Sequence, residues 1–272
     1  MIPLAGVIGC PISHSRSPRL HGTWLRQYGI AGHYVPLHVE AADLADVLRA
    51  MPRMGFVGAN VTIPHKEAVL ALADQVSDAA ARIGAANTLT FEGGRIYADN
   101  TDSYGFIANL HQGAPDWDAT QGAALVLGAG GAARAVIDAL LTAGVPRLYL
   151  VNRSRARADT LAQVFGARVT VLDWDDRASV LGGVGVLVNT TSLGMAGQGA
   201  LDMPLDGLPV AALVTDIVYT PLMTDLLLRA QARGNPVVDG LGMLLHQAVP
   251  GFERWFGVRP EVTDDLRAAV LG

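Results

Sequence analysis

The stretch Leu125-Val126-Leu127-Gly128-Ala129-Gly130-Gly131-Ala132-Ala133-Arg134 holds the residue types that can cradle a pyrophosphate. A short apolar run ends in a G-x-G-x-x-A pattern and then takes up helical spacing, which puts the glycines where a strand turns into a helix. Glycine permits the tight turn and the close approach of phosphate oxygens, while the first turn of the helix offers free N–H groups and the positive end of its dipole. A purely structural turn also uses glycine, and the strand-turn-helix context is what favours a dinucleotide. The next segment selects which one. An NAD site wants a carboxylate about 20 residues on, to accept from ribose hydroxyls. Here Leu150-Val151 leads instead into Asn152-Arg153-Ser154-Arg155-Ala156-Arg157, with no acid. The guanidinium forks of Arg153 and Arg157 suit a 2′-phosphate, so NADP is the expected cofactor, with Arg155 read as merely exposed.

Outside this motif the polar residues have ordinary structural readings when taken singly. Ser15-Arg16-Ser17-Pro18 reads as an N-cap with Pro at the first helical position. Lys66 reads as a solvated lysine opening a helix, although the dipole disfavours a cation there. Asn87 suits a turn, Asp102 an N-cap, and Gln247 a helix-surface amide. The seven histidines form no H-x-x-x-H pattern or Cys/His set, so no metal site is expected. Cys10, beside the apolar run Leu4 to Ile8, reads as a small buried hydrophobe.

Half of the 272 residues are hydrophobic and 17% are charged, which excludes a disordered chain. The formal charge of −5, with no long Lys/Arg cluster, lacks the footprint of a nucleic-acid or anionic-membrane binder. A small neutral or acidic ligand fits better. One cysteine allows no intrachain disulfide, and the start Met1-Ile2-Pro3-Leu4 lacks the basic flank of a signal peptide, so a cytoplasmic location is expected. The longest uncharged window, 178–201, is glycine-rich and broken by Asn189, Thr190, Thr191, Ser192 and Gln198, and reads as strand plus loop rather than a membrane span.

The elements that must position these groups follow from periodicity. Strand, helix, strand is read through Leu4 to Gly9, Ser17 onward, and His33 to Val39, then a helix through Leu44, Val47 and Leu48, and a strand from Gly58 to Pro64. A further unit starts at His65-Lys66-Glu67. Residues 85–97 form a hairpin turning at Gly93-Gly94, and Asn100-Thr101-Asp102 caps a helix through Phe106, Ile107 and Leu110. Periodicity breaks at Gln112 to Asp118, and a domain junction is placed before it. Strands at 123–127, 147–151, 168–172, 185–189, 213–217 and 236–238, separated by crossover helices, describe a parallel, doubly wound Rossmann-type sheet. An apolar helical pattern, Leu241 to Phe256, and a last helix near Thr263 to Leu271 end the chain.

Taken together the motifs resemble shikimate dehydrogenase over essentially the full length. The matching stretches are 9–18, Asn60-Val61-Thr62-Ile63-Pro64-His65-Lys66, 84–88, Asp99-Asn100-Thr101-Asp102, Gly128 to Ala132, Asn152-Arg153-Ser154, 189–195, 216–221 and 240–247. Cys10 stands where the family often has Asn, and Ser103 where Gly is common. The resemblance implies an α/β chain with an N-terminal substrate domain, residues 1–104 completed by the returning helices 240–272, and an NADP domain, 105–239. It implies reversible NADPH-dependent reduction of 3-dehydroshikimate to shikimate, toward chorismate and the aromatic amino acids.

By the same resemblance Ser15 and Ser17 would bond the substrate carboxylate, and Thr62, Lys66, Asn87, Asp102, Tyr219 and Gln247 would surround its hydroxyl-bearing ring. Lys66 would exchange the proton while Asp102 holds the lysine and a ring hydroxyl. Cofactor contacts would come from Gly128, Ala129, Gly130, Gly131, Ala132, Asn152, Arg153, Ser154, Arg157, Thr190, Ser192, Ile217, Gly240 and Met243. Two alternatives stand beside this reading. One is a quinate/shikimate dehydrogenase using NAD, and the other a catalytically silent binder of shikimate or NADP, whose mark would be loss of Lys66 or Asp102. A homodimer is the assembly to test, and neither nucleic acid nor membrane is expected as a partner.

Overall fold

The computed structural model describes residues 2–272. In chain order the elements are β1 (Leu4–Gly9), α1 (Ser17–Gln27), β2 (His33–His38), α2 (Leu44–Ala50), β3 (Phe56–Val61), β4 (Gln75–Val76), α3 (Asp78–Ile83), β5 (Thr88–Glu92), β6 (Arg95–Asp99) and α4 (Asp102–Gly113). They continue with β7 (Ala123–Leu127), α5 (Gly131–Thr142), β8 (Leu148–Val151), α6 (Arg155–Phe165), β9 (Val169–Leu172), β10 (Val184–Asn189), β11 (Leu213–Asp216), α7 (Asp225–Ala232), β12 (Val237–Val238), α8 (Leu241–Phe256) and α9 (Asp264–Leu271). Two compact units result, one from Met1–Thr101 with Leu245–Gly272 and one from Asp102–Leu244.

The first unit is a six-stranded mixed sheet in the order β2-β1-β3-β5-β6-β4. β1 runs parallel to β2 and β3, whereas β5 is antiparallel to β3 and β6. Strand alternation sends Val35 and Leu37 to one face, against a core of Ile8, Leu48, Phe56, Val61 and Leu89, and Tyr34 to the other. There Tyr34 meets an aromatic group of His21 and Trp24 from α1 and Phe252 and Trp255 from α8. Gly58 is needed on β3, since a Cβ there would lie 2.0 Å from Trp255 Nε1, and that indole N–H donates to Leu89 O at 3.0 Å.

The second unit is an all-parallel sheet in the order β12-β11-β10-β7-β8-β9. Both faces are covered, which is why its strands read as nearly continuous apolar runs. Ala124, Val126, Leu148 and Leu150 face α5 and its neighbours on one side, and Leu125, Leu127, Val151 and Leu187 face Leu226 and Leu227 of α7 on the other. Chain order along this sheet reverses direction between β7 and β10, the place where doubly wound sheets bind ligands.

Several local readings change. The N-cap of α1 is Arg16, with no side-chain cap, so Ser17 is the first helical residue rather than the cap. Lys66 opens no α-helix. A short 3₁₀ turn, Ala68–Leu72, follows it, so the dipole argument has no long helix to act through. Asp102 is the first residue of α4 rather than its cap. β4 and α3 were not anticipated. α3 is capped by Ser77, whose hydroxyl accepts from Ala80 N–H at 3.1 Å. Among the described residues no helix is long and apolar enough to cross a membrane.

Candidate active site

In the first unit the candidate substrate residues gather along one sheet edge because of strand direction. Ser15 follows the C-terminal end of β1, and Thr62 and Lys66 follow that of the parallel β3. β5 is antiparallel, so its N-terminal end, with Asn87, lies at the same edge, and β6 delivers Asn100 and Thr101 there. The backbone fixes these loops. Thr62 N–H donates to Ile8 O at 2.9 Å, Ala86 N–H to Lys66 O at 2.8 Å, and Asn87 N–H to Asp99 O at 3.0 Å.

Asn87 is the centre of this edge. Its amide N–H donates to Gln247 Oε1 at 3.0 Å, and its Oδ1 accepts from Thr101 N–H at 2.8 Å, Thr101 Oγ1 at 3.1 Å and Thr88 Oγ1 at 3.0 Å. Thr101 Oγ1 also lies 2.7 Å from Gln247 O. Gln247 is therefore buried in a polar network and is not the helix-surface amide its spacing suggested. Asn60 extends the network, donating to Asn87 O at 3.1 Å and accepting from Tyr34 O–H at 2.7 Å. Asn60 and Thr101 were not anticipated as positioning residues, although both fall in quoted motifs.

On the remaining edge, Ser17 is buried, Ser15 half-buried, and Ser17 N–H donates to Ser15 Oγ at 3.3 Å, so the two hydroxyl-bearing residues share one turn. Lys66 and Thr62 are half-buried. Asp102 follows Thr101 directly in the chain and is buried at the start of α4, while Tyr219, half-buried, lies in the loop after β11; both belong to the second unit.

The second unit carries the nucleotide features. Gly128 has φ of +108°, and a Cβ there would stand 2.6 Å from Thr190 Oγ1, so only glycine allows the close seat of this turn. Thr190 in turn donates to Leu127 O from both its N–H (2.8 Å) and its hydroxyl (2.7 Å). At Gly130 and Gly131 a Cβ would meet nothing within 4 Å, and Gly130 caps α5 without a side chain. With Ala129 and Ala132 flanking them, the start of α5 is exposed and uncrowded, an arrangement suited to a pyrophosphate at its first N–H groups. At the end of β8, Asn152 Nδ2 donates to Ser154 O at 2.8 Å and shapes the loop. Arg153 and Arg157 are exposed and pair with no carboxylate among the described residues, whereas Arg155 pairs with Asp173 at 2.8 Å instead of standing simply exposed.

The third part of this unit's ligand edge is held by a buried carboxylate that sequence reasoning passed over. Asp216 accepts from Asn189 Nδ2 (3.0 Å), Val218 N–H (3.0 Å) and Thr224 Oγ1 (2.8 Å). Burial raises its pKa, and these hydrogen bonds oppose the rise. The network fixes the loop that carries Thr190 and Ser192 and the one from Ile217 to Tyr219. Ile217 and Met243 are half-buried against the apolar core, and Gly240 is buried where the chain passes Ile217.

A doubly wound parallel sheet with an open glycine turn at its reversal point, in one chain with a separate α/β unit presenting amide, hydroxyl and ammonium groups along one edge, defines a dinucleotide-dependent oxidoreductase. Comparison with known proteins makes the class specific. Residues 7–89 match the shikimate dehydrogenase substrate binding domain, 111–195 the shikimate / quinate 5-dehydrogenase family, and 240–271 the shikimate 5'-dehydrogenase C-terminal domain. A shikimate dehydrogenase (NADP(+)) of Paracoccus denitrificans is 66% identical over 270 residues, covering 99% of this chain and 96% of that protein. The shikimate 5-dehydrogenase of Thermus thermophilus, solved in complex with NADP(H) and shikimate, is 38% identical with a TM-score of 0.87, covering 100% of this chain and 99% of the other. The quinate dehydrogenase of Corynebacterium glutamicum, solved with NAD, is 33% identical with a TM-score of 0.92, covering 99% of each chain. The chain belongs to the shikimate dehydrogenase family.

Proposed function

We propose that the chain catalyses the reversible, NADPH-dependent reduction of 3-dehydroshikimate to shikimate, a step toward chorismate and the aromatic amino acids. The observation that carries this reading is the polar edge centred on Asn87 and Gln247, which continues along the same sheet edge through the loop after β3, with Lys66, to the loop after β1, with Ser15 and Ser17. A polyol acid needs many hydrogen-bond partners, because each buried hydroxyl left unpaired costs about 1–3 kcal/mol. The second unit fits NADP: its glycine turn is open, no carboxylate ends β8, and Arg153 and Arg157 remain available for a 2′-phosphate.

When bound, NADPH supplies the hydride. Lys66 donates a proton to the carbonyl oxygen as negative charge develops on it, and takes the proton back from the hydroxyl in the reverse direction. Proton transfer by a positioned group contributes about 10²- to 10⁴-fold. Asp102 accepts from a ring hydroxyl and holds the lysine, Tyr219, Thr62, Asn87 and Gln247 bond the rest of the ring, and the two serines anchor its carboxylate. Presence of both Lys66 and Asp102 argues against a silent binder. With a single cysteine and no disulfide, the chain is assigned to the cytoplasm, and light scattering tests the homodimer.

The test is an absorbance assay of purified protein with shikimate or quinate against NADP or NAD. The highest kcat/KM is expected for shikimate with NADP. A preference for quinate and NAD would move the chain to the quinate branch of the family, and no turnover with any pair would leave a binding protein.

A further inference from the structure

Three potential ligands of different chemistry converge where β1 and β2 end. Cys10 Sγ lies 3.6 Å from His38 Nε2, and the same nitrogen lies 3.1 Å from Glu40 Oε1. The three donor atoms all fall within 4.8 Å of one another, the one such group of three among the described residues. Cys10 is half-buried and so corrects the reading of a buried hydrophobe, while His38 and Glu40 are exposed.

The geometry separates two uses of such a trio. A nucleophile, base and orienter would use both ring nitrogens of the histidine, one toward the sulfur and one toward the carboxylate. Here one nitrogen, Nε2, faces both. The sulfur, the nitrogen and the carboxylate oxygen are therefore gathered around one small volume, the clustering of donor atoms that a metal ion requires. A tetrahedral zinc with bonds of about 2.3 Å to sulfur and about 2.05 Å to nitrogen sets an S···N edge of about 3.6 Å, and an N···O edge of about 3.3 Å. The observed S···N and N···O separations lie within a few tenths of an ångström of these edges, and the sulfur and the carboxylate oxygen, within 4.8 Å of each other, close on the ion by rotation of the exposed Glu40 side chain.

The backbone beneath the trio is already fixed. Val39 N–H donates to Gly9 O at 3.2 Å, Val39 O is bonded to His65 Nε2 at 2.7 Å, and Cys10 N–H donates to Ile63 O at 3.1 Å. His65 is thus engaged elsewhere, leaving the fourth position of the ion to water.

We propose that Cys10, His38 and Glu40 form a binding site for one Zn²⁺ ion, with three protein ligands and a water. On binding, the Cys10 S–H bond breaks, its proton leaves to solvent, and the sulfur electron pair forms the S–Zn bond; no electron transfer is involved. Mixed S, N and O donors suit this borderline-soft ion better than Mg²⁺ or Ca²⁺.

The test is titration of full-length reduced protein with Zn²⁺ against a chromophoric chelator, and with Co²⁺ as a spectroscopic substitute. Wild type is expected to bind one equivalent of Zn²⁺ with Kd of about 1 µM or tighter, and to show a thiolate-to-cobalt charge-transfer band. Cys10→Ser should abolish that band, and His38→Ala and Glu40→Gln, at exposed positions that leave the fold intact, should each weaken Zn²⁺ at least about tenfold. Binding weaker than about 100 µM, a band that persists in Cys10→Ser, or affinity unchanged in both exposed variants would overturn the proposal.

Discussion

Asn87 and Gln247, separated by 160 positions, are joined side chain to side chain at 3.0 Å, so the last helices of the first unit are tied to its sheet at the edge where the candidate substrate groups stand. Replacing Asn87 with Ala removes this bond and strips Thr101 N–H of its acceptor inside the protein. Asn87→Ala should destabilise the first unit by about 2–4 kcal/mol in urea melts. A double-mutant cycle with Gln247→Ala should give a coupling above about 0.5 kcal/mol, and a smaller value would mean that the contact carries no energy.

Lys66→Ala should lower turnover at least about a hundredfold with the protein still folded. Single-turnover hydride transfer at saturating shikimate reads the chemical step, and NADP titration of the same variant should remain near normal, since the glycine turn belongs to the other unit. A rate within a fewfold of the parent would leave Asp102, Tyr219 or water as the proton carrier.

Arg153→Ala with Arg157→Ala should weaken NADPH by the loss of two charge-assisted contacts, each about 1.5–3 kcal/mol, and affect NADH much less. Steady-state kinetics with both cofactors measure it. An unchanged preference would remove the arginines from 2′-phosphate recognition.

Ser15→Ala with Ser17→Ala should raise KM for shikimate far more than it lowers kcat, because contacts to a carboxylate remote from the reacting carbon exist in both ground and transition states. Normal KM with collapsed kcat would contradict the anchoring role.

His21 gives the fold an acid-sensitive point. Its ring is fully buried, stacked on Tyr34 at 3.9 Å, and neither nitrogen has a hydrogen-bond partner. Burial pushes its pKa from 6.5 down to about 3, with nearby Asn60 opposing the shift. The unfolded chain therefore binds the proton first. Stability from this group is complete above pH 6.5 and falls as pH drops toward 3, by about 2 kcal/mol at pH 5. Urea midpoints for the parent should decline over that window, and His21→Phe should flatten the profile while keeping stability at pH 7. An equally steep profile in the variant would place the acid sensitivity elsewhere, for instance at His246, which burial also pushes down to about 4.

The nucleotide sheet was legible almost strand by strand, because burial on both faces leaves uninterrupted runs such as Ala124 to Leu127. The helix Leu241–Phe256 was read at its observed ends. The misses have local causes. β4 has two residues and α3 six, too short for a period to show, though Ser77 before Asp78 carried a cap signal. Gln247 looked like a surface amide because helical spacing cannot reveal a buried partner on a distant hairpin. Cys10, His38 and Glu40 evaded a search by spacing, since their neighbourhood comes from pairing Gly9 with His38 across parallel strands. The roles of Lys66, Asp102 and the serines came from motif resemblance, not from any signal in one residue alone.

The interleaving of the chain sets a schedule during synthesis. The nucleotide unit is one uninterrupted segment and has all its strands once Leu244 has left the ribosome, whereas the first unit must wait for its final 28 residues. Until then Gly58 lacks the indole of Trp255 and Asn87 lacks Gln247, so a nascent chain exposes an apolar sheet face and an open polar edge. The part of the protein begun first is finished last, and a stalled or shortened chain would display that face to chaperones.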